Sequence, residues 1–466
     1  MQTIKQKLLL AACMLSFAVS LSAQNAGVDQ GAASSNAPPA QNAGVAQRPA
    51  AAVQSLTVEQ AVRLALEGNL SLRRNGLEAG KKKRSYYRSW NGLIPAVSAS
   101  GLVSRPTSLT DTIPAAQDTW TPGVQVSASL QLSTALVGTI KAAKADYEAG
   151  RLNYEQAAQE LEVQVRKLFY QIILLDDAQR LAARSLESAR ARHEQSAALV
   201  RTGQAAHLDE LSARVDMENQ KPALRNAEMA YANAVDSFKE LLGLPVESAI
   251  TLQGTLDDAL ARTAAGTADE PAAGVDSTAA GGETLESAAL YKSIQSLEAQ
   301  RDAAWHGAYI PSLQLSWSGA PVYVNDEWHD NAGSFSIMLG VSLGNYLPWS
   351  ASKSQLDGLN DTIKGAKLQL DEAKRSQLRR IAGHRRTIAK SRETIAALKL
   401  NVDLAESAYA LYEDAYRKGA ADYQRLRDAS DSLLQAQNQV QQEQFNLVSA
   451  LLDMEKELSL PFGSLR

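Results

Sequence analysis

Two short stretches, LIPAVSASG at 93–101 and YIPSLQLSWSG at 309–319, decide how this chain folds. Each follows a segment with helical periodicity and switches, at Pro95 or Pro311, to an alternation of apolar and polar residues. Proline lacks a backbone N–H and disfavours helix in the residue before it, so each stretch predicts a junction between a helix and a strand. The two prolines lie 216 residues apart (311 − 95), which raises the question of a duplication.

Two further pairs of motifs have the same separation. The segments RTGQAAHLDELSA and RKGAADYQRLRDA begin at Arg201 and Arg417, and the endings LLGLP and ELSLP finish at Pro245 and Pro461. Three pairs with one separation indicate an internal duplication, and the unit is far longer than a solenoid repeat. We therefore predict two related halves within one fold.

The periodicity of each half predicts the same order of elements: helix, two strands, a long helix and a returning helix. The long helix has no proline from about Ala135 to Val200, which corresponds to a rod of roughly 100 Å. The predicted class is α+β with long helical hairpins. The first repeat is 56–245 with strands at 93–104 and 123–133, and the second is 285–466 with strands at 312–324 and 335–345.

Segments of different composition flank the repeats. Residues 1–23 place two lysines before an apolar run and indicate a secretory signal peptide. Residues 24–55 and 246–284 are predicted to be a disordered linker and a low-complexity inter-repeat segment. The single cysteine, Cys13, follows a lipoprotein-like sequence, but the apolar run continues beyond it. Cleavage near Ala23 and a lipidated Cys13 are therefore both open.

Composition and motifs exclude several classes of function. The chain has 47 basic and 51 acidic residues, so no overall charge favours nucleic acid. We find no phosphate-binding loop, nucleophile elbow or dinucleotide motif, and the five histidines lack metal-ligand spacing, so no enzyme, cofactor or metal is expected. The basic run from Lys374 to Arg392 is expected to pair with acids on neighbouring helices.

The predicted strands suit a membrane. They are about 9–12 residues long, enough to cross a bilayer at a tilt, and their polar positions are mostly Ser, Gln and Gly. Four strands cannot close a membrane barrel and an open edge is not tolerated in lipid, so two, three or four copies are expected to complete it. The residues predicted to face lipid are Val124, Val126, Leu130, Ile337, Leu339 and Val341.

Over about residues 56–463 the chain resembles the TolC-like outer-membrane efflux protein family, the outer membrane factors. The resemblance rests on LTVEQAVRLALEGN at 56–69, the two proline junctions and the two glycine turns, in this order. It implies a homotrimer with a shared 12-stranded barrel in the outer membrane and an α-helical tunnel in the periplasm. Such a trimer would be the exit duct of a tripartite efflux or type I secretion system.

The resemblance also implies partners: a periplasmic membrane-fusion adaptor, an inner-membrane pump of the RND, ABC or MFS type, and outer-membrane lipid, but no nucleic acid. The alternative function is a secreted periplasmic coiled-coil scaffold without channel activity, in which the apolar strand faces mediate assembly in water.

The functional residues implied by the resemblance lie at the two hairpin tips. The adaptor would dock at Arg201, Gly203, Arg417 and Gly419. The periplasmic gate would contain Asp209, Arg425 and Asp428. Arg425 stands where the family tends to have Asp, which allows a link between Asp209 and Arg425 instead of an acidic ring. The alternative is that these three residues are solvated surface charges.

Overall fold

A computed structural model describes residues 54–104, 120–203, 206–256, 260, 284–320, 322–324, 327–329, 333–418 and 420–465. The predictions for the signal peptide, Cys13, Gly419 and most of the linker therefore lie outside the described residues.

The first repeat has the predicted order of elements, preceded by a short strand. Its helices α1 and α2 lead into the strand pair, and α3 and α4 form the long hairpin. The elements are β1 (Gln54–Leu56), α1 (Val58–Gly68), α2 (Leu70–Arg88), β2 (Ala96–Ser104), β3 (Thr121–Leu132), α3 (Ala135–Arg201) and α4 (His207–Leu242).

The second repeat has the same order, with a short hairpin added to its strands. The elements are β4 (Ile250–Leu252), α5 (Leu285–Tyr309), β5 (Ser312–Gly319), β6 (Val322–Val324), β7 (Glu327–His329), β8 (Ser334–Gly340), α6 (Ala351–Arg417) and α7 (Tyr423–Glu457).

The structure confirms the duplication at the level of element boundaries. Helices α3 and α6 both contain 67 residues, and both of their ends are separated by the predicted spacing. The starts of α4 and α7, at His207 and Tyr423, have this spacing too. The duplicated unit therefore determines where each long element begins and ends.

The single helix expected before the first strand is divided into two. Thr57 caps α1, in a capping box with Gln60. Asn69 then leaves the helical conformation and its side chain accepts a hydrogen bond from the backbone N–H of Leu72, which starts α2. An Asn side chain offers this alternative to continued helix. A 3₁₀ helix at Ser89–Leu93 follows, so β2 begins three residues later than predicted.

Two strands of the second repeat also differ from the sequence predictions. The strand predicted at 312–324 is divided into β5 and β6. The strand predicted at 335–345 ends at Gly340, because the chain forms a 3₁₀ helix at Leu343–Tyr346, so Val341 lies beyond the strand. Part of the low-complexity segments is also ordered. Strands β1 and β4 pair in parallel, and Leu56 of β1 and Ile250 and Leu252 of β4 join the main apolar cluster, which composition averaged over long segments does not show.

The four long strands form an antiparallel sheet in the order β2, β3, β5, β8. The short β6–β7 hairpin joins β3 through a single residue pair, Gly123 and Val322. Within the described chain, β2 and β8 each pair with one strand, so the sheet is open at both edges.

The largest buried apolar cluster lies away from the sheet, where α1 packs against the α3–α4 hairpin. The rings of Phe169 and Phe238 lie there with centroids 6.2 Å apart, and Leu56 of β1 is also buried in this cluster. Apolar burial therefore holds the hairpin together at mid-length, since roughly 25 cal/mol is gained per Å² removed from water. The sheet contributes little to this core.

Candidate functional site

The sheet register divides its residues into two faces of different chemistry. Leu130, Leu315 and Ile337 lie side by side across three strands, and the next row along the strands is Leu132, Leu313 and Leu339. Directly paired residues project to the same face of a sheet. The structure thus places Leu130, Ile337 and Leu339 on one apolar face; Val124 and Val126 share it by their two-residue alternation with Leu130.

The other face is lined by hydroxyl and amide side chains. Hydrogen-bonded serine pairs connect neighbouring strands: Ser98 with Ser127 at 2.8 Å, Ser316 with Ser336 at 2.7 Å and Ser318 with Ser334 at 3.0 Å. Gln125 and Gln131 of β3 lie on this face as well. A neutral, hydrogen-bonding surface of this kind suits contact with water.

The apolar face has no covering layer in the described chain. Ile337 and Leu339 of β8 are 65% and 71% exposed, and Val97 of β2 is 73% exposed. Apolar surface of this extent is unfavourable in water. Together with the serine face it indicates a sheet between lipid and an aqueous lumen. Val341, although exposed, is outside this register.

The tip of the first hairpin lies between α3 and α4. Arg201 is the last residue of α3 and is exposed. Gly203 has a φ of +72° and its backbone N–H donates to the Val200 carbonyl oxygen at 3.0 Å. A left-handed φ favours glycine, as predicted for a helix reversal. In the second hairpin Arg417 is the equivalent last residue of α6 and is also exposed.

The three predicted gate residues do not form one cluster within the chain. Asp209 lies half-buried in the first turn of α4. Arg425 is exposed, with its Nε 3.8 Å from Oδ2 of Asp422, the residue that caps α7. Asp428 is exposed and its Oδ1 accepts a hydrogen bond from Gln424 at 2.9 Å. Among the described residues of one chain, the ion pair of Arg425 is thus with Asp422, not Asp209.

Sequence reasoning missed a buried polar network just above the tips. Nη2 of Arg192 in α3 lies 3.3 Å from Oδ2 of Asp216 in α4, and both side chains are less than 10% exposed. The Tyr423 hydroxyl donates to the same Asp216 oxygen at 3.1 Å. Nη1 of Arg192 donates to the Ser430 hydroxyl at 3.3 Å. Because Tyr423 and Ser430 belong to α7, this network connects the two hairpins.

Burial changes the acid–base properties of this network. It raises the pKa of Tyr423 to about 12, and the negative charge of Asp216 adds to this increase. Burial would lower the pKa of Arg192, but Tyr423 and Asp216 more than offset it and raise this pKa above the usual value. Tyr423 therefore stays a neutral hydrogen-bond donor across the physiological pH range.

A weak sequence signal for the network existed. Arg192 stands eleven residues before Gly203 and Asp216 thirteen residues after it, so an antiparallel hairpin brings them to nearly the same height. That signal does not show that the pair is buried, because many polar residues of a long helix have a polar residue at the same height on the returning helix. The contribution of α7 had no signal in sequence spacing.

The basic run in α6 behaves partly as expected. Arg380 bonds Glu457 of α7 at 2.8 Å and lies 3.3 Å from Glu286 of α5, as predicted for a cation facing acids on neighbouring helices. Within the segments that the structure describes, no group of three or more His, Cys, Asp or Glu side chains has the arrangement of a metal site. None of the described helices is long and apolar enough to span a bilayer.

Sequence comparison identifies a family for the first repeat. Residues 61–244 match the family described as outer membrane efflux protein, a range that extends from α1 to just beyond the end of α4. None of the curated proteins compared with the chain matches its sequence.

Structural comparison covers most of the chain. The chain is similar to the outer membrane protein VceC of Vibrio cholerae, with 16% sequence identity and a TM-score of 0.70; the match covers 87% of this chain and 96% of VceC. It is also similar to the CmeC outer membrane channel of Campylobacter jejuni, with 13% identity and a TM-score of 0.74; the match covers 86% of this chain and 85% of CmeC. A third similar structure is the open state of the Neisseria gonorrhoeae MtrE outer membrane channel, with 20% identity and a TM-score of 0.71; the match covers 86% of this chain and 89% of MtrE.

At these identities the structural likeness shows the fold, which extends over both repeats. The family match and the fold agree with the two-faced sheet, and they confirm the predicted class and location. The first repeat therefore matches the outer membrane efflux protein family, and both repeats together have the fold of the TolC-like outer membrane channels that the chain resembles.

Proposed function

We propose that three copies of this chain form the exit duct of a tripartite efflux or type I secretion system. The observation that carries this proposal is the sheet, which has one apolar face, one serine-lined face and two open edges. Closing those edges between three copies gives a 12-stranded barrel, as inferred from the channels that the chain resembles. The duct would be passive, with energy supplied by an inner-membrane pump of the RND, ABC or MFS type.

Unpartnered helix faces support assembly with further copies of the chain. Leu208, Leu211 and Val215 of α4 are exposed, as are Leu404 and Leu411 of α6. Each set lies at helical spacing on one side of its helix, away from the buried residues that pack within the hairpin. Within one chain the long helices pack side by side in the order α4, α3, α7, α6, so α4 and α6 are the two outer helices. Contact of α6 with α4 of the next copy would cover both sets.

The tips are the proposed regulatory end of the duct. A membrane-fusion adaptor would dock on the exposed ends of α3 and α6, at Arg201, Gly203, Arg417 and Gly419. Asp209, Arg425 and Asp428 would form the gate between copies, because Asp209 and Arg425 occupy equivalent positions in the two repeats. Exposed ion pairs contribute only about 0–1 kcal/mol each, so they suit a closure that an adaptor must reverse.

Conductance of the purified protein in planar bilayers tests the duct and the gate. Arg425→Asp replaces attraction by repulsion, so we expect a larger resting conductance and a stronger preference for cations. The matched control is Lys364→Asp. It makes the same charge reversal at an exposed site of α6 that lies near the sheet, far from the hairpin tips. If Arg425→Asp conducts like the parent protein, the gate assignment is wrong.

The duct itself has a separate test. Protein that forms no conducting trimer in any bilayer, or that is recovered as a soluble assembly without detergent, would favour the coiled-coil scaffold. Recovery with the outer membrane and trimeric cross-linking in the membrane support the duct.

A further inference from the structure

A cavity of about 600 Å³ lies between α5 and α6, where both helices meet the sheet. Helix α5 ends at Tyr309, shortly before β5, and α6 begins at Ala351, shortly after the 3₁₀ helix that follows β8. The cavity is therefore at the level where the membrane-embedded strands give way to the periplasmic helices. Its lining includes Arg301, Trp305, His306, Tyr309, Tyr346 and Lys353.

Aromatic rings form one wall of this cavity. The ring centroids of Trp305 and Tyr309 are 5.8 Å apart, and those of Tyr309 and Tyr346 are 5.2 Å apart in an edge-to-face arrangement. The Tyr346 hydroxyl donates to the Tyr309 carbonyl oxygen at 2.7 Å, which holds the 3₁₀ helix against α5. Trp and Tyr have an apolar body and a polar tip, and they are enriched where a membrane meets water.

Two cations provide hydrogen-bond donors beside the rings. Nε and Nη2 of Arg301 bond a single oxygen of Asp302, so Nη1 has no partner among the described residues. Nζ of Lys353 bonds Asp357 at 3.1 Å, and an ammonium group has three donors. Nδ1 of His306 is buried without a hydrogen-bond partner in the described chain. The cavity therefore has spare capacity to bind a group rich in oxygen.

The first repeat lacks this set of residues. The positions equivalent to Arg301, Trp305 and Tyr309 are Ser85, Ser89 and Leu93, and the position equivalent to Lys353 is Val137. Both repeats nevertheless pass from helix to strand at an equivalent proline, through a 3₁₀ helix in the first repeat and directly from α5 in the second. The aromatic and basic side chains are thus not required to build the junction, which favours a binding role for them.

The surroundings of the cavity are apolar and uncovered. Leu343 and Trp349, which flank Tyr346 in the chain, are 75% and 79% exposed. In the chain they come after β8, whose Ile337 and Leu339 belong to the exposed apolar face. A ligand with a polar head and an apolar tail matches this sequence of surfaces.

We propose that the cavity binds a glycerophospholipid of the periplasmic leaflet of the outer membrane. Arg301 and Lys353 bind the phosphate, the rings of Trp305 and Tyr346 contact the glycerol and upper acyl chains, and the tails lie along the apolar face. Basic side chains near a membrane surface each favour anionic lipid, and Arg presents donors in a geometry that matches phosphate. The proposal rests on the sheet lying in the membrane, but not on the duct conducting.

Native mass spectrometry of the purified oligomer with added dioleoyl phosphatidylglycerol tests this site. We expect the parent protein to retain the lipid and Arg301→Gln/Lys353→Gln to retain about tenfold less. Trp305→Ala should also reduce retention. The matched control is Lys367→Gln, which removes another paired, exposed lysine of α6 further from the sheet and should leave retention unchanged.

Two further ligands identify what is bound. Dioleoylglycerol, which lacks the phosphate, and glycerol 3-phosphate, which lacks the tails, should both be retained poorly. Equal retention of either one, or equal lipid retention by the double variant and the parent, overturns the proposal. If the double variant does not assemble, Lys353→Gln alone must lower retention several-fold, and Lys353→Arg must restore it. Conductance of the same samples distinguishes failure of the lipid site from failure of the proposed duct. A variant that loses the lipid but conducts like the parent protein is altered at the lipid site alone.

Discussion

Helices α3 and α6 occupy equivalent places in the two repeats, but their lower ends differ in chemistry. Arg192 of α3 is buried against Asp216, whereas Ala408 and Ser432 stand at the equivalent positions of the second hairpin. The first hairpin completes its polar network with residues of the second, Tyr423 and Ser430. The two hairpins therefore share the lengths of their long helices, whereas single residues that differ between the repeats connect one hairpin to the other.

Breaking the buried pair should have the largest effect. Asp216→Ala leaves the Arg192 guanidinium buried without its charged partner, which should reduce the free energy of unfolding by about 3–5 kcal/mol. Ser432→Ala, the equivalent change in the second hairpin, should have an effect of about 0.5 kcal/mol or less, because Ser432 is exposed. Thermal and chemical unfolding followed by circular dichroism measure both. Equal effects would mean that the hairpins do not differ in this respect.

The two faces of the sheet provide the next comparison. Ile337→Lys places a charge on the apolar face and should cost about 2–4 kcal/mol near the bilayer midplane. Ser336→Lys, one residue away on the serine face, should be tolerated, as should Ser127→Lys on β3. The measurement is the yield of folded protein in the outer membrane and its stability in lipid. Equal damage from both faces contradicts the assigned lumen.

The residues that follow α4 and α7 also differ between the two repeats. Gly243 after α4 has a φ of +70°, and an added Cβ would lie against the Gly68 carbonyl oxygen. Gly243→Ala should therefore destabilise the first repeat by about 1–2 kcal/mol or more. Ser459, the equivalent residue after α7, has a φ of 53°. Ser459→Gly should stabilise by about 1 kcal/mol, since a non-glycine residue is strained there. Unfolding midpoints of the two variants should move in opposite directions.

The smallest effect concerns pH. The pKa of Tyr423 is raised to about 12, so its protonated form is favoured in the folded protein. Its contribution to stability is complete below the unfolded pKa of about 10 and is lost as the pH rises toward about 12. The unfolding temperature should therefore fall over this window, and fall less in Tyr423→Phe. The same fall in both proteins would assign the alkaline instability to other groups.

The sequence alone determined the frame of the molecule. The 216-residue spacing, the two proline junctions and the strand alternation predicted the repeats, the long hairpins and the shared face of Leu130, Ile337 and Leu339. These features are local or periodic, so each can be recognised without knowing what lies opposite. The strand predicted at 335–345 shows the limit of this reasoning, because the alternation continues in the sequence although the strand ends at Gly340.

Tertiary structure decided which charges became buried and which side chains met. A helix of 67 residues presents polar groups on every side, and its periodicity does not show which of them a second hairpin will cover. Arg192 is therefore covered by α7, and the rings of Tyr309 and Tyr346 meet although strands β5 to β8 separate them in sequence. Sequence periodicity determines the faces of an element, whereas the environment of each face depends on segments folded together from distant parts of the chain.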